Sequence, residues 1–238
     1  MSRVLVIPDP HLKIGVIEDG LELAEQYRAD HVVLLGDYFD DWHAVPTQYF
    51  EMKDYLKKIM RRFDVITLIG NHELSYMGYP CSGHNRLMDA TLSGFLKNDY
   101  RFLPCVGIDG VLYSHAGLTK GWAETNRLYT NNEFRFKVMK PIGAEFLEKK
   151  ICGINHWGKF ATVGPLRGGH EVPSPMWADL EELIEDAVPI KQVVGHTPVN
   201  QVECIGSCWF TDVFSNGNKC DEYLLVEDGK PKVVRKGV

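Results

Sequence analysis

The sequence predicts an α/β domain built on a mixed sheet, or on two sheets. Two observations carry this. Short apolar runs of strand length alternate with amphipathic helical segments early in the chain and then follow one another directly towards its end, which suits mixed rather than purely parallel sheets. Five of those runs also stop at an acid, a histidine or an asparagine. Strand ends that carry polar side chains lie where open α/β sheets gather their ligands.

The elements follow in order. Arg3 to Ile7 is an apolar strand ending at Asp9-Pro-His11. Ile17, Leu21, Ala24 and Tyr27 then recur at helical spacing. Val32 to Leu35 is a second strand, running out into Gly36-Asp37-Tyr-Phe-Asp40-Asp41; Gly-Asp is equally a turn former, so this stretch alone does not decide for a site. Met52, Leu56, Ile59 and Phe63 mark a second helix between Thr47 and Phe63, with Lys57, Lys58, Arg61 and Arg62 as its solvated face. Asp64 to Ile69 is a third strand, capped by Gly70-Asn-His-Glu73. A third helix is expected over Asn85 to Leu96, with Leu87, Leu92, Phe95 and Leu96 on its apolar side. Arg101–Ile108 and Val111–Ser114 read as strands joined at Asp109-Gly110, a hairpin signal, and His115 follows the second. The chain is then helical and irregular to Asp186, interrupted at Pro141, with a short acidic helix from Trp177 to Ile184. Ile190 to Val194 is a strand ending at Gly195-His196. Gln201–Ile205, Cys208–Val213, Tyr223–Val226 and Lys232–Arg235 complete the set, the last ones separated by turn clusters at 215–218 and 228–231.

A length of 238 residues allows one large domain or two small ones. No repeat, low-complexity tract or linker divides the chain, so residues 1–238 are read as one domain. With 45% hydrophobic and 24% charged residues the chain can bury a core. A net charge of -6 argues against holding nucleic acid by bulk electrostatics. No apolar run approaches the ~20 residues of a membrane helix, and the amino terminus reads as a strand, so no membrane partner is expected. The six cysteines form no Cys-x-x-Cys pair, which fits reduced thiols in a cytoplasmic protein. Cys204 and Cys208 have the spacing of a zinc hook, but no second pair accompanies them.

The strand-end signals gain meaning together. Asp9-x-His11, Gly36-Asp37-x-x-Asp40, Gly70-Asn71-His72-Glu73, His115 and Gly195-His196 bring carboxylate, imidazole and amide donors to neighbouring strand ends. That mixture suits manganese, iron or zinc better than calcium, which prefers oxygen alone. In these five ordered blocks the chain resembles the calcineurin-like metallophosphoesterase superfamily, whose pattern runs D-x-H, G-D-x-x-D, G-N-H-[DE], H and G-H-x. The resemblance implies two mixed β-sheets packed face to face with helices outside, and two divalent metal ions, manganese foremost. It implies Asp9 and His11 on the first metal, Asp37 bridging both, and Asn71, His115 and His196 on the second. A metal-bridging hydroxide would attack the phosphorus while His72, held by Asp40, protonates the leaving group. Two such ions ~3.5–4 Å apart can clamp a phosphoryl group and activate water.

Gly70-Asn-His-Glu73, Ser114-His-Ala-Gly-Leu118 and Gly195-His-Thr197 look most like the phosphoprotein phosphatase branch and its bacterial and phage relatives. Pro198 stands where superfamily nucleases carry the second His of G-H-x-H, leaving the first metal one protein ligand short. That branch also usually reads G-D-x-V-D-R-G, with an Arg that grips phosphate; here Asp41 takes its place, which repels phosphate unless it points outward. Arg167, in the loop Gly164-Pro-Leu-Arg-Gly-Gly-His170, is the candidate substitute, with His43, His84 and His170 as further options. The expected substrate is a phosphomonoester, on a phosphorylated protein or a small molecule. A phosphodiester or nucleotide is the alternative that the missing Arg favours, and a non-catalytic metal-binding module is a third reading. Residues 118–186 are expected to shape the substrate cleft.

Overall fold

The computed structural model describes residues 2–62, 64–98, 101–128, 143–215 and 221–237. Phe63, Pro141 and positions 216–218 of the first turn cluster lie outside them.

Two sheets form the centre. The first has the order β11-β10-β1-β2-β3-β4. It is built from β1 (Arg3–Ile7), β2 (His31–Leu34), β3 (Val65–Leu68), β4 (Phe102–Leu103), β10 (Glu222–Glu227) and β11 (Lys230–Arg235). β1 to β4 run parallel, whereas β10 and β11 are antiparallel additions. The second sheet has the order β5-β6-β7-β9-β8, from β5 (Cys105–Ile108), β6 (Val111–Ser114), β7 (Lys191–Val194), β8 (Glu203–Ile205) and β9 (Cys208–Phe210).

Side-chain alternation explains the layering. Along β1, Val4 and Val6 join Val33, Leu68 and Leu224 against Val106, Tyr113, Val193 and Phe210 of the other sheet. Leu5 and Ile7 point the opposite way, into the core shared with the helices. Successive strand residues face opposite sides, so strands apolar on both faces demand cover on both. The helices α1 (Ile14–Gln26), α2 (Pro46–Ile59) and α4 (Asp89–Asn98) supply it for the first sheet, through Ile17, Leu21, Met52, Leu56, Leu92 and Phe95. The helix α6 (Ala144–Cys152) packs on β5 and β6 through Ala144, Leu147 and Ile151. Two further short helices are α3 (Asn71–Ser75) and α5 (Lys120–Thr125).

Several expected elements are redrawn. Arg101–Ile108 is two strands in different sheets: Pro104, which has no N–H for a ladder, separates β4 from β5, and the chain crosses between sheets there. Gly70-Asn-His-Glu73, expected only to cap the third strand, also opens helix α3, with Gly70 as its N-cap. The third helix begins only at Asp89; Asn85 accepts the Leu87 N–H in a preceding 3-10 turn, which turns Leu87 out to 83% exposure. The acidic helix, α7, is Leu180–Asp186, because Asp179 caps it. Lys230 and Pro231 belong to β11, not to a turn. The Asp109-Gly110 hairpin is present, both residues having positive φ, as a type I′ turn requires.

Candidate metal centre

The parallel strands β1, β2 and β3 of one sheet, and β6 and β7 of the other, end at one place. Asp9, Asp37, Asn71, His115 and His196 follow them. The backbone there turns sharply: His11, Asp37, Asp40 and His196 have φ of 40°, 51°, 69° and 63°, a left-handed conformation uncommon for residues with a side chain. Such strain persists only where the surroundings over-determine it. Glu73 supplies much of that constraint. Its carboxylate accepts the N–H groups of Asp37 (2.8 Å), Gly70 (2.9 Å), Tyr38 (2.9 Å) and Phe39 (3.4 Å). Two glycines allow the carboxylates to seat: a Cβ on Gly70 would collide with Asp37 Oδ1, and one on Gly195 with Asp9 Oδ2.

The donor atoms converge. His115 Nε2, His196 Nδ1 and Asn71 Oδ1 are mutually 2.9–3.1 Å apart, and His115 Nε2 is 3.4 Å from Asp37 Oδ2. On the other side of Asp37, His11 Nε2 is 3.7 Å from the same oxygen. Asp37 therefore stands between two sets of donors, His11 with His72 and His115 with His196. Backbone acceptors orient the rings: His115 Nδ1 lies 3.1 Å from Leu35 O and His11 Nδ1 2.7 Å from Asp40 O. With those nitrogens donating to the backbone, each Nε2 is turned to Asp37, where it can bind a cation once its own proton has left. Orienting a ligand imidazole through its other nitrogen is usual in metal sites. Asp9 Oδ2 and His196 Nε2 are buried without a hydrogen-bond partner among the described residues. The residues present thus fit divalent ions.

Charge at the site is organised by the same groups. Burial pushes Asp37 up, but the charges of His115, His72 and His11 hold it well below the usual carboxylate range. Burial lowers His115, yet the charge and hydrogen bond of Asp37 with the charges of Asp9 and Glu73 together outweigh it and bring the imidazole up to about 9. His196 is pushed well down by burial and by the His115 charge.

His72 faces the same cavity, of about 480 Å³. Its Nδ1 is 3.0 Å from Asp40 Oδ2, and its backbone N–H donates to Asp37 Oδ1. Burial lowers its affinity for a proton; the Asp37 charge and the hydrogen bonds of Asp40 and Cys81 more than offset this and hold it well above the ordinary range. Tyr49 and Tyr76 donate their hydroxyls to Asp40 Oδ1, which leaves Oδ2 to His72.

At the rim, Arg167 lines the cavity. Its Nε is 2.9 Å from Asp179 and its Nη2 donates to Thr197 Oγ1 at 2.7 Å. Asp41 is exposed and its Oδ1 accepts the neighbouring Trp42 N–H. His84 pairs with Asp89. His43 and His170 are exposed, and none of these three histidines lines the cavity. Cys204 and Cys208 are free thiols in adjacent strands, outside the clusters that could hold a metal among the described residues. Sequence reasoning missed the anchoring role of Glu73, the tyrosine pair on Asp40, Cys81 3.8 Å from His72, and the buried Asp212 at the cavity wall. The apolar run Cys208–Val213 held the signal for Asp212, an acid at a strand end.

The calcineurin-like phosphoesterase family model matches residues 2–233. The chain belongs to this family. No curated protein sequence matches it. Among solved structures it is similar to the cold-active protein-tyrosine phosphatase of a psychrophile Shewanella sp., with 19% identity, a TM-score of 0.58, and coverage of 99% of this chain and 81% of that one. A putative diadenosine tetraphosphatase (14% identity, TM-score 0.47, 98% and 93% coverage) and the phosphoesterase Yfce from E. coli (15%, 0.42, 94% and 88%) also match. The first likeness shows the shared fold. Calcineurin-like phosphoesterases use divalent metal ions, and the Asp37 cluster is where this member has the donors for them. Among the described residues no helix is long and apolar enough to cross a membrane.

Proposed function

We propose that the protein is a binuclear metal-dependent phosphomonoesterase, of the phosphoprotein phosphatase branch, acting on a phosphorylated protein or small molecule. The observation that carries it is the position of Asp37 between His11 on one side and His115 with His196 on the other, with the His72–Asp40 pair in the same cavity. In this reading Asp9, His11 and Asp37 hold the first ion, and Asp37, Asn71, His115 and His196 the second. When bound, two divalent ions supply charge to clamp the phosphoryl oxygens and to make water a nucleophile near neutral pH. Manganese suits the carboxylate and amide oxygens of this mixed donor set, with iron or zinc as the other options.

The chain's own residues do the rest. Asp40 keeps the His72 imidazole protonated and turned to the cavity, and His72 gives that proton to the ester oxygen as the P–O bond breaks. Arg167, fixed by Asp179 and Thr197, directs its guanidinium at the phosphate in place of the Arg that the branch carries at position 41. Asp41 stays at the cavity lining with its Oδ1 accepting the Trp42 N–H, so the anion-binding role passes to Arg167. Parts of 118–186 supply Arg167 and Trp177 to the cavity, which supports its reading as the cleft-shaping segment. The tyrosine phosphatase named above supports a monoester substrate.

Purified protein with manganese, assayed on p-nitrophenyl phosphate and bis-p-nitrophenyl phosphate, tests this. Preference for the monoester is expected, with Asp37→Asn inactive. Preference for the diester would overturn the monoester reading and favour a phosphodiesterase or nucleotide hydrolase, as the Asp at position 41 allows. Metal uptake without turnover of either would leave only a binding module.

A further inference from the structure

The first metal's donor set, as proposed above, lacks one protein ligand, because Pro198 stands where a second histidine would be. The structure places another acid at that site. Asp212 follows β9, which runs parallel to β7 with Val194 opposite Phe210. It is therefore the next strand end after the one that bears His196. Its segment is pinned there: Thr211 donates both its N–H and its hydroxyl to Val194 O, and Val199 N–H donates to Asp212 O at 2.8 Å.

Asp212 is 1% exposed and lines the metal cavity. Its Oδ1 accepts the N–H and the hydroxyl of Ser215, at 3.2 and 2.8 Å. No described residue donates to Oδ2. A structural role for the carboxylate is thus met by one oxygen, and the other remains. Independently, Asp9 Oδ2 is buried and also has no hydrogen-bond partner among the described residues. Asp9, Asp37 and Asp212 are all buried, and Asp37 and Asp212 line one cavity with His11. Buried charges persist when paired or when they coordinate metal.

We propose that Asp212 is a ligand of the first metal ion, through Oδ2, in the position left by the missing histidine. This rests on the binuclear reading above. The first site then has three carboxylates and one imidazole, and the second has one carboxylate, one amide and two imidazoles. Oxygen-rich sets suit manganese, and imidazole-rich ones suit zinc equally well. The two sites therefore differ in preference, and Asp212 widens that difference.

The test is isothermal titration of the metal-stripped full chain with manganese and with zinc, comparing the native protein, Asp212→Asn and Asp212→Glu. Asn keeps an oxygen for Ser215, so the fold is preserved, and the stripped variant should melt no lower than the native chain because a buried charge is gone. In Asp212→Asn, manganese affinity at one site should fall on the order of 10- to 100-fold, the other site being unchanged and zinc less affected. Asp212→Glu, which keeps the charge, should recover part of the loss. Unchanged affinities at both sites in Asp212→Asn, or a lowered melting temperature of the stripped variant with affinities intact, would overturn the proposal and leave Asp212 a structural residue. Failure of the native chain to bind two ions would overturn the binuclear reading itself.

Discussion

Replacing Asp40 by Asn isolates the acid function assigned to His72. Asn tolerates the left-handed backbone at this position, and its amide oxygen can still accept from Tyr49 and Tyr76, so the fold should be little affected. What is lost is the charge on the oxygen 3.0 Å from His72 Nδ1. A hydrogen bond to a charged group is worth ~1.5–3 kcal/mol, which at ~1.36 kcal/mol per pKa unit lowers the imidazole by about 1–2 units. The sign follows. His72 is held high, so its acid form is complete below its folded pKa and is lost as pH rises through it. Asp40→Asn therefore moves the alkaline limb of the kcat profile about 1–2 units towards acid. At a pH above both limbs kcat falls roughly 10- to 100-fold. The assay is kcat against pH with manganese, on phenyl phosphate and p-nitrophenyl phosphate. Phenolate needs the proton more than nitrophenolate, so the loss should be larger on phenyl phosphate. An unmoved limb, or equal losses on both esters, would refute the pairing of Asp40 with an acid His72.

Three other outcomes follow from the same geometry. Glu73→Gln turns an NH2 towards two of the four N–H groups the carboxylate now accepts, at about 1–3 kcal/mol for each unsatisfied donor. A drop in melting temperature on the order of 10 °C is expected by thermal unfolding, and a change under ~2 °C would remove Glu73 as the anchor of the Asp37 loop. Metal at the second site must displace the proton that His115 holds up to about 9, so manganese affinity should strengthen from pH 6 towards pH 9, with proton release in titrations run in two buffers; pH-independent affinity would contradict it. Arg167→Ala should raise KM about 10-fold for a monoester, the scale of one lost charge-assisted contact, while metal content by elemental analysis stays the same.

The sequence was most informative where one residue type at one spacing admits one reading. Asp9-x-His11, Asp37, Asn71, His115 and His196 each end an apolar run, and the structure brings all of them together because their strands are parallel neighbours within each sheet. Boundaries were less legible where local chemistry overrode periodicity. Leu87 has the helical spacing of a core residue, yet the Asn85 cap diverts the chain before the helix begins. Pro104 marks the jump between sheets, but a single proline in an apolar run does not say which sheet each half joins. Asp212 escaped notice because it lies inside a run that reads as one strand; the ladder stops at Phe210, two residues earlier.

The left-handed residues explain why the site could be recognised and yet not built from sequence. Glycine takes such angles without penalty, and a reader looks for it there. Here His11, Asp37, Asp40 and His196 adopt them instead, because the position needs both the turn and the side chain. The turn swings each donor off its strand axis towards the shared centre. Strain of order 1–3 kcal/mol at each must be offset by contacts from elsewhere in the chain. Glu73 on the Asp37 loop and the Asp9 carboxylate on the His196 N–H (3.0 Å) are two such contacts. Both link residues distant in sequence, and the second joins the two sheets directly. Donor geometry in this protein is consequently a property of the assembled sandwich: cutting either contact should loosen the ligands on a different strand from the one mutated.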